Sequence, residues 1–220
     1  MFARSIAAIC LFAIPTSLFM TSVRVTNAHD GHTDPDSFLV YIGTYTGPES
    51  EGIYTFRFDR KSGKLTAVNN PTKTSNPSFV AVHPSGQYLY AVNEDAEFNG
   101  EQGGGITSFS INPKTGTLTE INSQCTHGAH PCHLTIDQSG KTVGVANYTG
   151  GSIAAYKIGK AGELSPASTF VQHEGKSVHP RQEAPHGHSI DVDPFNKYVA
   201  VSDLGLDKVL VYKMNARKGE

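Results

Sequence analysis

From residue 38 onward, apolar and polar positions alternate in short runs separated by turn residues. The run Pro77-Ser-Phe-Val-Ala-Val-His-Pro84 is followed by Ser85-Gly86 and then by Tyr88-Leu-Tyr-Ala-Val-Asn93. A period of two places successive side chains on opposite faces of a strand. Two such runs joined by a Gly-containing turn predict a β-hairpin. The hairpin recurs as Pro131-Cys-His-Leu-Thr-Ile-Asp137 with Thr142-Val-Gly-Val-Ala-Asn147. It recurs again as His188-Ser-Ile-Asp-Val-Asp-Pro194 with Tyr198-Val-Ala-Val-Ser-Asp203. A third run follows each hairpin, beginning at Gly105, Ser152 and Lys208. Next come turns at Lys114-Thr-Gly-Thr-Leu118 and Lys160-Ala-Gly-Glu-Leu164, which open a fourth strand.

The repeat is therefore a module of four antiparallel strands in chain order, about fifty residues long. Such a sheet carries two apolar faces and cannot bury both alone, so its modules must stack radially. The predicted fold is an all-β propeller. The first module starts at Phe38-Leu-Val-Tyr-Ile-Gly43 without an innermost strand, and the fourth stops after its third. The pattern thus predicts about four blades of a longer ring, a truncated propeller, with a closed four-bladed ring as the alternative. Open blade edges would then invite self-association.

Composition fits this reading. The 220 residues are 38% hydrophobic, with 22 Gly and 12 Pro, which favours a turn-rich β protein. The net charge of −2 gives no electrostatic footprint for nucleic acid or an acidic membrane. At the N-terminus, Arg4 precedes an apolar run over residues 6–19, and Thr26-Asn27-Ala28 offers small residues for cleavage. Residues 1–28 are predicted to be a signal peptide, since the run is short for a ~20-residue membrane span. Residues 29–37 are predicted to be a solvated tail and 38–220 the propeller domain. The expected localisation is exported, periplasmic or extracellular. Cys125 and Cys132 then remain, either disulfide-bonded or free.

Propeller ligands sit where loops at the inner strands converge. Candidates are Asn93-Glu94-Asp95, Asn147-Tyr148, Asp203-Leu204-Gly205 and Gly43-Thr44-Tyr45, all at the ends of second strands. The densest stretch is Arg181-Gln-Glu-Ala-Pro-His-Gly-His-Ser189. His186 and His188 are expected on one side of their strand, and Arg181 offers a planar, permanently charged donor for an anion. A second cluster, Cys125, His127, His130, Cys132 and His133, has the composition of zinc ligation but irregular spacing. Within it, His133 is expected at the module position of His188.

At these motifs the chain resembles the lactonase family of seven-bladed propellers, which includes 6-phosphogluconolactonases and carboxymuconate lactonizing enzymes. The resemblance runs from Phe38 to Glu220. It rests on Tyr41-Ile-Gly-Thr-Tyr-Thr46, Leu89-Tyr-Ala-Val-Asn-Glu94, Pro131-Cys-His133, Val145-Ala-Asn-Tyr148, Arg181-Gln-Glu-Ala-Pro-His-Gly-His-Ser189 and Asp203-Leu-Gly205. It implies hydrolysis of a sugar-acid lactone without metal or other cofactor, by water attack on the ring carbonyl. Expected catalytic residues are Glu94, His133, His186 and His188. Arg181, Asn93, Asn147 and Asp203 are expected to bind substrate. The alternative is an exported propeller that binds or scaffolds without catalysis.

Overall fold

Alternating side chains need covered sheet faces, and the computed structural model covers them by stacking sheets around an axis. It describes residues 25–26, 36–215 and 218. The first sheet holds β1 (Val25–Thr26), β2 (Ser37–Ile42), β3 (Gly52–Asp59), β4 (Leu65–Ala67) and β5 (Thr72–Lys73). The second runs, from inside outward, through β6 (Val80–Val82), β7 (Tyr88–Asn93), β10 (Gly105–Ile111) and β11 (Leu118–Cys125). A small hairpin, β8 (Glu97–Phe98) and β9 (Glu101–Gln102), interrupts it between β7 and β10. The third comprises β12 (Pro131–Ile136), β13 (Thr142–Asn147), β14 (Ser152–Ile158) and β15 (Leu164–Gln172). The fourth comprises β16 (Gly187–Val192), β17 (Tyr198–Asp203) and β18 (Lys208–Lys213). All pairings are antiparallel between strands adjacent in the module, as the repeat predicts.

Two details differ from the sequence reading. The innermost strand of the second blade shrinks to Val80–Val82, because the Ser78 amide bonds locally to the Asn76 carbonyl and Pro77 has no donor. The inner edge of β2, where the repeat offers no strand, is paired by Val25–Thr26. Those two residues lie within the predicted leader, most of which falls outside the described residues.

Each gap between blades is filled by apolar side chains from both neighbours. Leu39, Tyr41 and Ile53 meet Val80, Leu89 and Phe109 between the first and second blades. Tyr90, Val92 and Ile106 meet Leu134, Val145 and Tyr156 in the next gap. Ala146 and Ile153 meet Ile190 and Val201 in the last. Burying each such aliphatic or aromatic side chain contributes about 1.5–3 kcal/mol. On the opposite side of the fourth blade, Val209 and Val211 are 64% and 66% exposed.

A polar tie repeats beside this packing. The Tyr41 hydroxyl donates to the Gly116 carbonyl at 3.0 Å, and the Tyr90 hydroxyl donates to Gly162 at 2.9 Å. Each tyrosine sits on the second strand of its blade and reaches the outer turn of the next. Gly116 and Gly162 adopt φ of 74° and 83°, a left-handed conformation that only glycine adopts readily. The lysine-glycine turns seen in the sequence thus serve as sockets between blades.

Candidate functional site

Three side chains at equivalent second-strand ends tie down the loops around the inner strands. Asn93 donates its amide to Thr74 Oγ1 at 2.9 Å and to the Ser75 carbonyl at 2.6 Å. Asn147 donates to the Thr126 carbonyl at 3.2 Å and to Ser152 Oγ at 3.0 Å. Asp203 accepts the His186 amide at 2.8 Å and the Leu206 amide at 3.0 Å. All three are at most 2% exposed. Asn93, Asn147 and Asp203, which the sequence suggests as substrate-binding residues, each also hold the segment preceding the inner strand of the same blade. A buried amide or carboxylate generally finds partners, and the loop backbone supplies most of them, although Asn147 Oδ1 is buried with no hydrogen-bond partner.

The inner strands deliver a different set. In the third blade Pro131 pairs with Asn147 and His133 with Ala146, so Cys132 is bulged out of register. In the fourth, Gly187 pairs with Asp203 and Ser189 with Ser202, so His188 is the bulged residue. A bulge re-aims the extra side chain. Cys132, not His133, therefore occupies the position of His188, which corrects the sequence alignment by one residue. Ser78 holds this position in the second blade, two residues before Val80, the pairing equivalent of Leu134 and Ile190.

These residues meet. Ser78 donates its hydroxyl to Glu94 Oε2, and the Tyr45 hydroxyl is hydrogen-bonded to the same carboxylate. Burial, reinforced by Glu94, holds the Tyr45 phenol well above its usual range, so it remains a donor. The Cys132 thiol donates to the His188 carbonyl at 3.4 Å and the Gly187 carbonyl at 3.6 Å. Burial, with Glu94 nearby, pushes this thiol up to about 12. Cys132 thereby links the Glu94 group to the histidines of the fourth blade.

There the Tyr148 ring organises the site. His186 stacks on it at 4.7 Å between centroids, and His188 meets it edge-on at 5.6 Å. His186 precedes β16 and His188 is its bulged residue, and the aromatic ring is what gathers them. His186 Nδ1 lies 3.0 Å from the Tyr148 carbonyl, which can only accept. The neutral ring therefore carries its proton on Nδ1 and leaves the Nε2 lone pair open. His133 has the opposite tautomer, because its Nδ1 accepts the Ile190 amide at 3.2 Å. Its ring packs on Phe79 at 4.1 Å, between the inner strands.

Arg181 is exposed in a turn fixed by its neighbour. The buried Gln182 side chain accepts the His179 amide at 3.0 Å and donates to the Leu204 carbonyl at 2.9 Å. Sequence reasoning missed His173, which is buried with Asp203, its Nδ1 2.6 Å from Asp203 Oδ2. It also passed over Ser78, and it gave Tyr45 and Tyr148 only as members of a general binding rim. Aligning the inner-strand starts of the repeat would have shown Ser78, Cys132 and His188 as one position.

The cysteine-histidine cluster separates. Cys132 and His133 turn inward, whereas Cys125 and His127 stay at the end of β11, on the segment leading to β12. Cys125 and Cys132 are free thiols. A cleft between the third and fourth blades is largely apolar and includes none of these polar groups.

Comparison with known proteins agrees with this architecture. Residues 39–220 match the family described as lactonase, 7-bladed beta-propeller. The 6-phosphogluconolactonase of Bacillus subtilis is 34% identical over 177 residues, covering 80% of this chain and 49% of that protein. That of Formosa agariphila is 32% identical over 178 residues, covering 80% and 50%. The solved periplasmic gluconolactonase of Pseudomonas aeruginosa superposes with a TM-score of 0.75 at 35% identity, covering 80% of this chain and 50% of that one. The chain spans about half the length of the curated relatives it matches. With four stacked blades and a match over residues 39–220, it belongs to the lactonase family of seven-bladed β-propellers.

Proposed function

We propose that this chain carries a lactone-hydrolysing face, with a sugar-acid lactone as substrate. The observation that supports it most is the His186 ring, stacked on Tyr148 and held with its Nε2 lone pair open. On this reading His186 Nε2 takes a proton from water as the water oxygen bonds to the lactone carbonyl carbon. The resulting oxyanion is stabilised by hydrogen-bond donors, for which His188, edge-on to the same Tyr148 ring, is the candidate. Collapse of the tetrahedral intermediate breaks the ring C–O bond. The leaving oxygen takes the proton back from His186, and the product is the open hydroxy acid. Glu94 positions Tyr45 and Ser78, and Arg181 would hold an anionic substituent.

His133 fits this scheme as a donor through Nε2 and not as a base, since Nδ1 is committed to the Ile190 amide. Export follows from the N-terminal pattern of Arg4, the apolar run and Thr26-Asn27-Ala28. An exported chain would meet an unphosphorylated lactone, in keeping with the name of the periplasmic Pseudomonas relative. Among the described residues, no helix is long and apolar enough to cross a membrane.

The test is hydrolysis of glucono-δ-lactone and its 6-phosphate by the purified chain, measured by acid release above the spontaneous rate. His186→Ala should abolish the enzymatic component. Arg181→Ala should raise KM for the phosphorylated lactone more than for the neutral one. Full activity in both variants would remove this assignment.

A further inference from the structure

Outside the inner cluster, the structure brings three metal-ligating side chains of different types together from two separate segments. Glu101 lies on β9 of the small hairpin, and Cys125 ends β11. His127 follows two residues later. One ligand atom from each lies within 4.8 Å of the other two. The hairpin turns at Asn99-Gly100, with φ of 52° and 82°, the left-handed pair that tight two-residue hairpins require. That turn returns Glu101 toward the end of β11.

The ligand backbone is held from below. Thr126, between Cys125 and His127, is fully buried, and its hydroxyl reaches the Gly104 carbonyl at 3.1 Å and the Gly128 carbonyl at 2.9 Å. The Cys125 carbonyl accepts the Tyr156 hydroxyl at 2.7 Å. His127 has φ of 57°, a left-handed conformation uncommon for a residue with a side chain. In this conformation its amide points at Cys125 Sγ, 3.3 Å away, so thiol and imidazole leave the chain on one side. The imidazole ring abuts Phe170 edge-on at 6.2 Å. A sulfur, an imidazole nitrogen and a carboxylate oxygen on fixed backbone form a donor set suited to a borderline-soft divalent ion.

We propose that Glu101, Cys125 and His127 form a Zn²⁺ site that staples the β8–β9 hairpin to the segment between β11 and β12. Three protein ligands leave a fourth position for water in a tetrahedral shell. The site lies at the rim of the second and third blades, and the ion takes no part in lactone hydrolysis. Binding displaces the thiol proton to solvent, with no change in oxidation state. Without the ion the hairpin is held by the Phe98 ring over Gly105, by backbone hydrogen bonds and by the Cys125 thiol donating to the Gln102 carbonyl at 3.5 Å, and metal ligation replaces that weak thiol contact with a stronger tie.

The experiment titrates the metal-free chain with Co²⁺ under reducing conditions and follows the thiolate-to-cobalt charge-transfer band, then adds Zn²⁺. One equivalent should saturate the band, and Zn²⁺ should abolish it. Cys125→Ser should eliminate the band, His127→Ala should weaken binding at least tenfold, and Cys132→Ser should leave it intact. Circular dichroism reports whether each variant folds. Limited proteolysis reads the staple separately: Zn²⁺ should slow cleavage at Asn99-Gly100 severalfold in the parent chain and not in Glu101→Gln. A band that survives Cys125→Ser, or no saturable band with folded parent chain, overturns the site. Equal cleavage with and without Zn²⁺ overturns the staple.

Discussion

His173 Nδ1 lies 2.6 Å from Asp203 Oδ2, and both side chains are fully buried. His173 Nε2 faces the Tyr212 hydroxyl at 3.1 Å, and the two rings stack. This places one carboxylate oxygen on the imidazole and leaves the other to grip the His186 and Leu206 amides. The segment carrying His186 is thus anchored through a pair that never reaches solvent.

Removing one partner of this buried hydrogen bond leaves the other unsatisfied, at a cost of about 1–3 kcal/mol or more because the acceptor is a carboxylate. Asp203→Asn and His173→Ala are each expected to fall in this range in urea unfolding. Their double variant should cost less than the sum, because the second change removes a group already stranded. Additive losses would show that the two side chains act independently.

Asp203 also sets a pH dependence. Burial acts to raise its carboxyl, but hydrogen bonds from the His186 amide, His173 and the Leu206 amide outweigh it, leaving the group below its reference of 3.8. A carboxylate depressed by folding contributes stability that is fully present above 3.8 and disappears as pH falls through the lower folded value. Stability of the parent chain should therefore decline more steeply in that acid window than stability of Asp203→Asn. Parallel acid limbs in urea midpoints would contradict the assignment.

The tyrosine sockets yield a cleaner stability test, because they lie away from the site. In Tyr90→Phe the ring remains packed and only the hydroxyl is lost, stranding the Gly162 carbonyl. An unpaired buried acceptor costs about 1–3 kcal/mol. For a chain of this length each kcal/mol lowers Tm by roughly 2–4 °C. Calorimetry should show a drop within that span, and Tyr41→Phe should behave alike, since Tyr41 bonds Gly116 in the same way.

The blades were legible in the sequence because alternation and turn residues are local properties. The strands from Tyr88 to Asn93 and from Thr142 to Asn147 fall where the pattern put them. The site was legible only in part. His186 and His188 stand out in the sequence as a close pair, but the Tyr148 ring that joins them comes from the neighbouring blade. His133 was matched to His188 on residue type, although aligning Leu134 with Ile190 puts Cys132 at that position. His173 was overlooked because its partners, Asp203 and Tyr212, lie 30 and 39 residues away. Polar residues at strand ends can face a ligand or hold the adjacent loop, and the loop bonds of Asn93 and Asn147 emerge only from the fold.

The two thiols should differ in reactivity. Thiolate is the reacting species, and burial beside Glu94 pushes Cys132 up to about 12. Burial raises Cys125 as well, while a hydrogen bond from the His127 amide works in the opposite direction. In the folded chain at mildly alkaline pH, iodoacetamide should modify Cys125 well before Cys132, as read by peptide mass spectrometry. In denaturant the two should react at similar rates. Recovery of a Cys125–Cys132 disulfide peptide from the folded chain would contradict the free thiols.

Tyr148 is the residue on which the proposed chemistry turns, and its parts can be separated. The backbone carbonyl fixes the His186 tautomer, and no side-chain substitution removes it. The ring fixes the position of His186 through stacking and of His188 through its edge. Aromatic pairs of this kind contribute about 0.5–1.5 kcal/mol beyond the area they bury. If that energy holds the base in line with water, losing it lowers kcat by up to about tenfold. Tyr148→Ala should therefore reduce kcat on glucono-δ-lactone several-fold with the pH optimum unchanged, because the tautomer survives. Tyr148→Phe retains both contacts and should keep kcat near the parent value. A rise in KM alone in Tyr148→Phe would mean that the phenol touches substrate. Unchanged kcat in Tyr148→Ala would show that His186 needs no such support, and the base would then have to be sought elsewhere on this face.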